Sequence, residues 1–153
     1  MSIKCHDCGG PVVLERGPKN VFVGDRTVTV EAEFMHCPSC GEVFYRPGQM
    51  QTMQRAAVDI LRREEGLLAP SEIEALRAQY GLSQTAFEQL IHAGPKTVTR
   101  WERGTVAPNG TADTLLRILR DRPDVVDQLA RERGVVVRSA REEPPRRRAV
   151  GGM

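Results

Sequence analysis

Apolar positions along this chain change period once, from strand-like to helical, and the helical part is interrupted at residues 66–70. From residue 27 to 34 they alternate strictly, with Val28, Val30, Ala32 and Phe34 on one face and Thr27, Thr29, Glu31 and Glu33 on the other, the period of a half-buried strand. Ahead of it, residues 11–15 and 21–23 read as two short strands, Gly24-Asp25 supplies a turn, and residues 43–45 add an edge strand. From residue 48 to about 64 the spacing turns helical: Met50, Met53, Ala57, Ile60 and Leu61 form an apolar stripe among Gln and Arg. Gly66-Leu67-Leu68-Ala69-Pro70 interrupts it and is the expected joint between two domains.

Beyond the joint every signal is helical. Ser71 and Glu74 have capping-box spacing and open a helix with Ile73, Leu76 and Tyr80 inward, ended by Gly81. Ser83 is an N-cap for a second helix whose core face is Ala86, Leu90 and Ile91. His92-Ala93-Gly94 breaks it, with Gly94 expected at positive φ, and Pro95 suits the first position of a third helix. In that helix Val98 and Trp101 face inward, while Lys96, Thr97, Arg100 and Arg103 fall on the other side. Thr111 is expected to cap a fourth helix carrying Leu115, Leu116, Ile118 and Leu119, and Pro123 starts a fifth with Val126, Leu129 and Ala130. The fold class expected is α+β in two domains: a β-rich domain with a trailing amphipathic helix at 1–68, an all-α five-helix domain at 69–134, and a flexible basic tail at 135–153.

Composition narrows the chemistry. A net charge of +2 over 153 residues excludes a bulk polyelectrolyte binder, so any nucleic-acid contact comes from a local patch. No apolar run approaches the roughly 18 residues that cross a bilayer, and the N-terminus lacks signal-peptide order, so a cytoplasmic, non-membrane protein is expected. In a reducing compartment, four cysteines point to metal or redox chemistry rather than to disulfides.

Those four are Cys5, Cys8, Cys37 and Cys40, in two Cys-x-x-Cys pairs each followed by Gly. Two such knuckles brought together offer four thiolates in a tetrahedron, the donor set of one structural zinc ion per chain. A sheet this small is expected to draw much of its folding free energy from the metal. His6 and His36 flank the pairs, but four thiolates already fill the tetrahedron. A redox dithiol needs a lowered pKa and usually a βαβ setting, and neither pair precedes a helical pattern. Catalytic zinc needs an open position and a general base, and no such set is present, so the protein is read as a non-enzyme.

The stretch 83–104 resembles a helix-turn-helix of the Cro/repressor (Xre) type, on Gln84 after the cap and on Trp101-Glu102-Arg103-Gly104 as the closing motif. The resemblance implies that Lys96 and Arg100 read base edges with Thr97 beside them, that Ser83, Gln84, Thr85 and Arg103 hold phosphates, and that the domain forms a homodimer on a palindromic double-stranded operator. A plain helical hairpin with a solvated basic face is the alternative. The Leu-rich residues 115–119 are core, or in part a dimer surface, and Arg146, Arg147 and Arg148 either touch phosphates or form a solvated end.

Taken together, a four-Cys module followed by an amphipathic helix and an Xre-type helix-turn-helix resembles the MqsA (YgiT-type) antitoxins over residues 3 to about 134. That resemblance implies a type II toxin–antitoxin component: a zinc domain that neutralises a cognate messenger-RNA-cleaving toxin, and a dimeric domain that represses its own operon. The family's base-reading pair is Asn with Arg, whereas here Lys96 stands at the Asn position, and the tail beyond Gly134 extends past the family pattern. A stand-alone zinc-containing regulator without a toxin is the alternative.

Overall fold

The computed structural model describes residues 3–138. It divides into two compact units, residues 3–67 with the short stretch Gly104–Ala107, and residues 68–103 with 108–138.

The first unit is a three-stranded antiparallel sheet, β1 (Val13–Val23), β2 (Arg26–His36) and β3 (Val43–Phe44), in the order β1-β2-β3, and a helix, α1 (Gln49–Glu65), that packs against β1 and β2. The strict alternation expected of β2 is realised: Val28, Val30, Ala32 and Phe34 are buried and their neighbours exposed. Where two short strands were expected ahead of the turn, one eleven-residue strand runs through Gly17 and Pro18. Pro18 pairs with Glu31, and β1 is an outer strand, the place in a sheet where a missing N–H is tolerated.

The core of this unit joins Val28, Val30 and Ala32 to Met53, Ala57 and Leu61, three helix positions at i, i+4 and i+8. Met50, expected on the same stripe, lies in the first turn of α1 and is 65 % exposed, because the apolar seam begins one turn later at Met53. Val58 is buried without having been foreseen. Lys19 extends over the ring of Phe34, its ammonium 3.8 Å from the centroid. Gly66 closes α1 in the left-handed conformation, and the guanidinium of Arg62 donates to the Leu67 carbonyl at 3.2 Å.

The second unit contains the five helices expected: α2 (Pro70–Gln79), α3 (Gln84–Ile91), α4 (Thr97–Arg103), α5 (Gly110–Asp121) and α6 (Pro123–Arg133). Ile73, Phe87, Val98, Leu116, Leu119 and Val126 are wholly buried in its core, and Leu68 and Trp101 join them. Tyr80 is buried with its hydroxyl donating to the Leu119 carbonyl at 2.6 Å, so its polar end is satisfied as well as its ring. Of the expected face of α3, Leu90 is buried but Ala86 and Ile91 are only partly so, and Phe87, outside that face, is wholly buried instead.

Several ends differ from expectation by a residue or two, each for a local reason. Glu72 rather than Glu74 returns its carboxylate to a backbone N–H, that of Ala69 at 2.8 Å, because α2 begins at Pro70. Asn109 rather than Thr111 caps α5, its side-chain oxygen accepting from Ala112 at 2.8 Å. The chain also continues on the core past Gly134: Val135 and Val137 pack against it and Arg138 donates its N–H to the Tyr80 carbonyl at 3.1 Å. Arg146, Arg147 and Arg148 lie outside the described residues. Among those described, no helix is long and apolar enough to cross a membrane.

Candidate metal centre and candidate nucleic-acid interface

Two matching turns build the thiol cluster. In the first, Gly9 donates its N–H to the Cys5 carbonyl at 2.9 Å, and in the second Gly41 donates to Cys37 at 2.8 Å, with both glycines at positive φ. Each turn folds a Cys-x-x-Cys pair back on itself, and the two turns lie at opposite ends of the hairpin sequence, brought together by the pairing of Val13 with His36. The four sulfurs all lie within 4.8 Å of one another. Across the turns, Cys5 Sγ is 3.6 Å from Cys40 Sγ and Cys8 Sγ is 3.5 Å from Cys37 Sγ. Four sulfurs about 2.3 Å from a tetrahedral ion stand about 3.8 Å apart, so the set fits a soft divalent metal.

Cys5 and Cys37 are buried while Cys8 and Cys40 face outward. The backbone N–H of Cys40 is the main cause of a Cys37 thiol lowered to about 7, with the Cys8 and Ser39 groups adding to it. Gly10 donates its N–H to Cys8 Sγ at 3.4 Å and packs closely on the other turn: a Cβ there would stand 2.9 Å from Ser39 Oγ, so the Ser39 side chain would have to move aside. His6 sits edge-on to Phe44, with ring centroids 6.4 Å apart, and neither it nor His36 belongs to the sulfur cluster. His36 instead faces Glu15, Nδ1 to carboxylate oxygen 3.5 Å.

In the second unit, α3 and α4 form the helix pair that the spacing predicted. Ser83 caps α3, its hydroxyl oxygen accepting from Ala86 at 3.0 Å. Gly94 lies in the turn between the helices, its carbonyl accepting from Thr97 at 3.4 Å, but it is not at positive φ. His92 takes the left-handed conformation at φ +57, since the chain must leave α3 there, and Ala93 then donates to the Glu88 carbonyl at 2.9 Å. Pro95 and Lys96 belong to this turn, and Lys96 has φ +65, so it stands immediately before α4 rather than inside it. Lys96, Arg100 and Arg103 follow one another at i, i+4 and i+7 and are all exposed, as are Ser83 and Thr85. Thr97 is half-buried at the first position of α4.

Gln84 is held on both sides. Its amide nitrogen donates to Glu102, and its amide oxygen accepts from the Thr99 hydroxyl at 2.9 Å. Glu102, its side chain 6 % exposed, also receives Arg77 Nε at 2.8 Å, and Arg77 reaches the Leu82 carbonyl at 2.9 Å. Glu88 is buried and accepts the Val98 N–H at 3.1 Å, supplying a partner to a backbone donor of the first turn of α4. Arg77 and Glu88 carry no signal in the sequence alone, and Thr99 stands there only as part of the stretch 99–104. Glu102 was visible as part of the closing motif, but nothing in the linear order pairs it with Arg77.

Over residues 3–130 the chain matches the family MqsA_antitoxin, described as the antitoxin component of bacterial toxin-antitoxin system, MqsA. It is similar as well to the antitoxin HigA-2 of Vibrio cholerae serotype O1, 35% identical over 63 residues, which is 41% of this chain and 61% of that protein. The chain thus spans less than two thirds of that curated relative. The family match, by contrast, runs from ahead of the first cysteine into α6, through both the thiol cluster and the helix pair. The chain belongs to the MqsA antitoxin family.

Proposed function

We propose that the chain is the antitoxin of a type II system, in which the first unit binds and neutralises a messenger-RNA-cleaving toxin and the second represses the operon that encodes the pair. The observation that carries this reading is the joint presence of a four-thiol centre and an Xre-type helix pair within one family match. The metal is zinc and its role is structural: two of the four cysteines are buried, no carboxylate or histidine among the described residues stands in the cluster, and four sulfurs leave no open position for a substrate. Bound zinc would supply a cross-link between the two turns and neutralise thiolate charge.

On DNA, a homodimer through the second unit places two copies of α4 in successive major grooves of a palindrome. Lys96 and Arg100 reach base edges, with Thr97 beside them. Ser83, Thr85 and Arg103 contact phosphates. Gln84, whose amide is engaged by Glu102 and Thr99, keeps one amide hydrogen for a phosphate and otherwise holds α3 to α4.

The test has two arms on the full chain. In the first, any small protein encoded beside the chain is expressed alone and then with it; toxicity alone, with restored growth and intact messenger RNA on co-expression, is expected, and unrelieved toxicity or no such neighbour would refute neutralisation. In the second, the chain is titrated onto a duplex carrying the region upstream of its own gene and onto a shuffled duplex. Preference for the first is expected, and equal binding would refute sequence-specific repression.

A further inference from the structure

The turn between α3 and α4 carries two non-glycine residues at positive φ, His92 at +57 and Lys96 at +65, and no others stand among the described residues. Such backbone is costly for a residue with a Cβ and persists only where its surroundings impose it. One residue, Glu88, holds the turn at both ends. Its backbone carbonyl accepts the Ala93 N–H at 2.9 Å, just after His92, and its carboxylate accepts the Val98 N–H at 3.1 Å, two residues past Lys96. Both Glu88 and Val98 are buried, so the second bond is made away from bulk solvent.

Lys96 stands where a helix cap belongs. Its carbonyl accepts the Arg100 N–H at 3.0 Å, opening the α4 ladder, and its own φ is not helical. The side chain at such a position ordinarily gives an oxygen to a backbone N–H two or three residues on, here that of Val98 or Thr99. A lysine ammonium has donors and no acceptor, so Lys96 cannot do this. Glu88 brings the missing oxygen from the neighbouring helix.

We propose that Glu88 is a positioning residue for base readout: with the capping bond transferred to α3, position 96 can carry a cation, and Lys96 and Arg100 are presented from one fixed turn. The proposal rests on the DNA-binding reading above and adds to it a buried residue that touches no DNA. Its consequence is selective. Base edges are read by hydrogen bonds that fail when the donors are displaced, whereas phosphate contacts carry no base information. Loss of the carboxylate oxygen therefore narrows the discrimination between sequences more than it weakens binding as a whole.

The experiment titrates the full metal-loaded chain onto the upstream and shuffled duplexes, at a temperature where each variant is folded by CD, and follows hydrogen exchange at the Val98 amide. Glu88→Met keeps the bulk and the helical propensity and removes the acceptor. Glu88→Gln keeps an acceptor oxygen and removes the charge. Glu88→Met should speed exchange at Val98 and lower affinity for the upstream duplex by about tenfold, the scale of one lost base contact, while changing the shuffled duplex by about twofold at most. Glu88→Gln should stay near the parent on both. Arg100→Ala should then cost less in the Glu88→Met background than in the parent, since the contact it removes is already impaired. A side chain that only supports the core would lower the unfolding midpoint and leave this cycle additive. An undiminished gap between the duplexes in Glu88→Met, with the full Arg100→Ala loss, would overturn the proposal and leave the DNA-binding reading standing. Equal losses in the Met and Gln variants would also overturn it, because the acceptor oxygen would then not matter. If Glu88→Met does not fold, Glu88→Asp, which draws the oxygen back by one methylene, enters the same cycle with the same outcomes. Equal binding of the parent to both duplexes would overturn this proposal and the specificity reading together.

Discussion

Arg77 and Glu102 lie 25 residues apart in the chain, on α2 and at the end of α4, and meet with Nε 2.8 Å from the carboxylate oxygen. The same carboxylate receives the Gln84 amide, so one buried charge ties three helices together. Removing one partner of such a pair leaves the other uncompensated, which generally costs more than the pair contributes when whole. Glu102→Ala is expected to destabilise the second unit by about 3 kcal/mol, and Glu102→Gln by clearly less, since an amide oxygen still accepts from Arg77. Urea unfolding followed by helical CD measures both; equal midpoints for the two variants would contradict the assignment.

A second buried carboxylate joins the start of this unit to its fourth helix. Asp113 accepts the Leu68 N–H at 2.8 Å on one oxygen and Arg117 Nε at 2.7 Å on the other. Asp113→Ala strands a buried backbone donor and should cost about 2 kcal/mol. Hydrogen exchange at the Leu68 amide should accelerate in the variant by more than at Leu119. Uniform acceleration of both would mean that the effect is global.

Chelation provides a sharper contrast. Withdrawal of metal by a strong chelator should unfold residues 3–67 while the five helices retain their CD and their cooperative melt, because the second core contains no thiol. Cys8→Ser should reproduce the effect in part. Persistence of the β-sheet amide resonances after complete metal removal would show that the sheet stands on its own packing.

The close approach at Gly10 predicts a repairable defect. Gly10→Ala forces its methyl against Ser39 and should lower metal affinity by roughly tenfold, with Ser39→Gly restoring most of it in the double variant. Competition with a chromogenic zinc chelator gives all three affinities. Additive losses in the double variant would locate the strain elsewhere.

Arg100→Ala should weaken binding to the cognate duplex by about 1 to 3 kcal/mol and leave unfolding unchanged. Lys96→Ala is expected to do less, since Lys96 stands in the turn ahead of α4, at φ +65. A titration of both variants on the upstream and shuffled duplexes distinguishes base contact, which narrows the gap between duplexes, from phosphate contact, which shifts both equally.

What was legible in the sequence was whatever is periodic or covalently close. The alternation of β2, the apolar faces of α2 and α5, the Cys-x-x-Cys turns and the Ser83 cap all follow from neighbours within four residues. The errors fall where two local solutions compete. Ser71 and Thr111 are acceptable caps, but Pro70 and Asn109 start their helices one or two residues earlier. Gly94 was the obvious residue for a left-handed turn, yet the chain had to turn at His92, two positions sooner. The contacts that fix α2 and α3 against α4, from Arg77, Gln84, Glu88 and Thr99, link residues 10 to 25 positions apart and leave no periodic trace. Val135 and Val137 looked like the beginning of a tail because a strap of alternating contacts is too short to show a period.

Pro18 bears on how such molecules behave when crowded. β1 is eleven residues long, its outer side has no partner strand among the described residues, and Leu14 and Phe22 are exposed on it, Phe22 by 74 %. Such a border is a template for edge-to-edge pairing with a strand of another chain. Proline at its middle offers no hydrogen to an incoming neighbour, so a would-be ribbon finds only half-length purchase and falls away. Pro18 thus blunts the middle of an otherwise long and partly apolar outer strand.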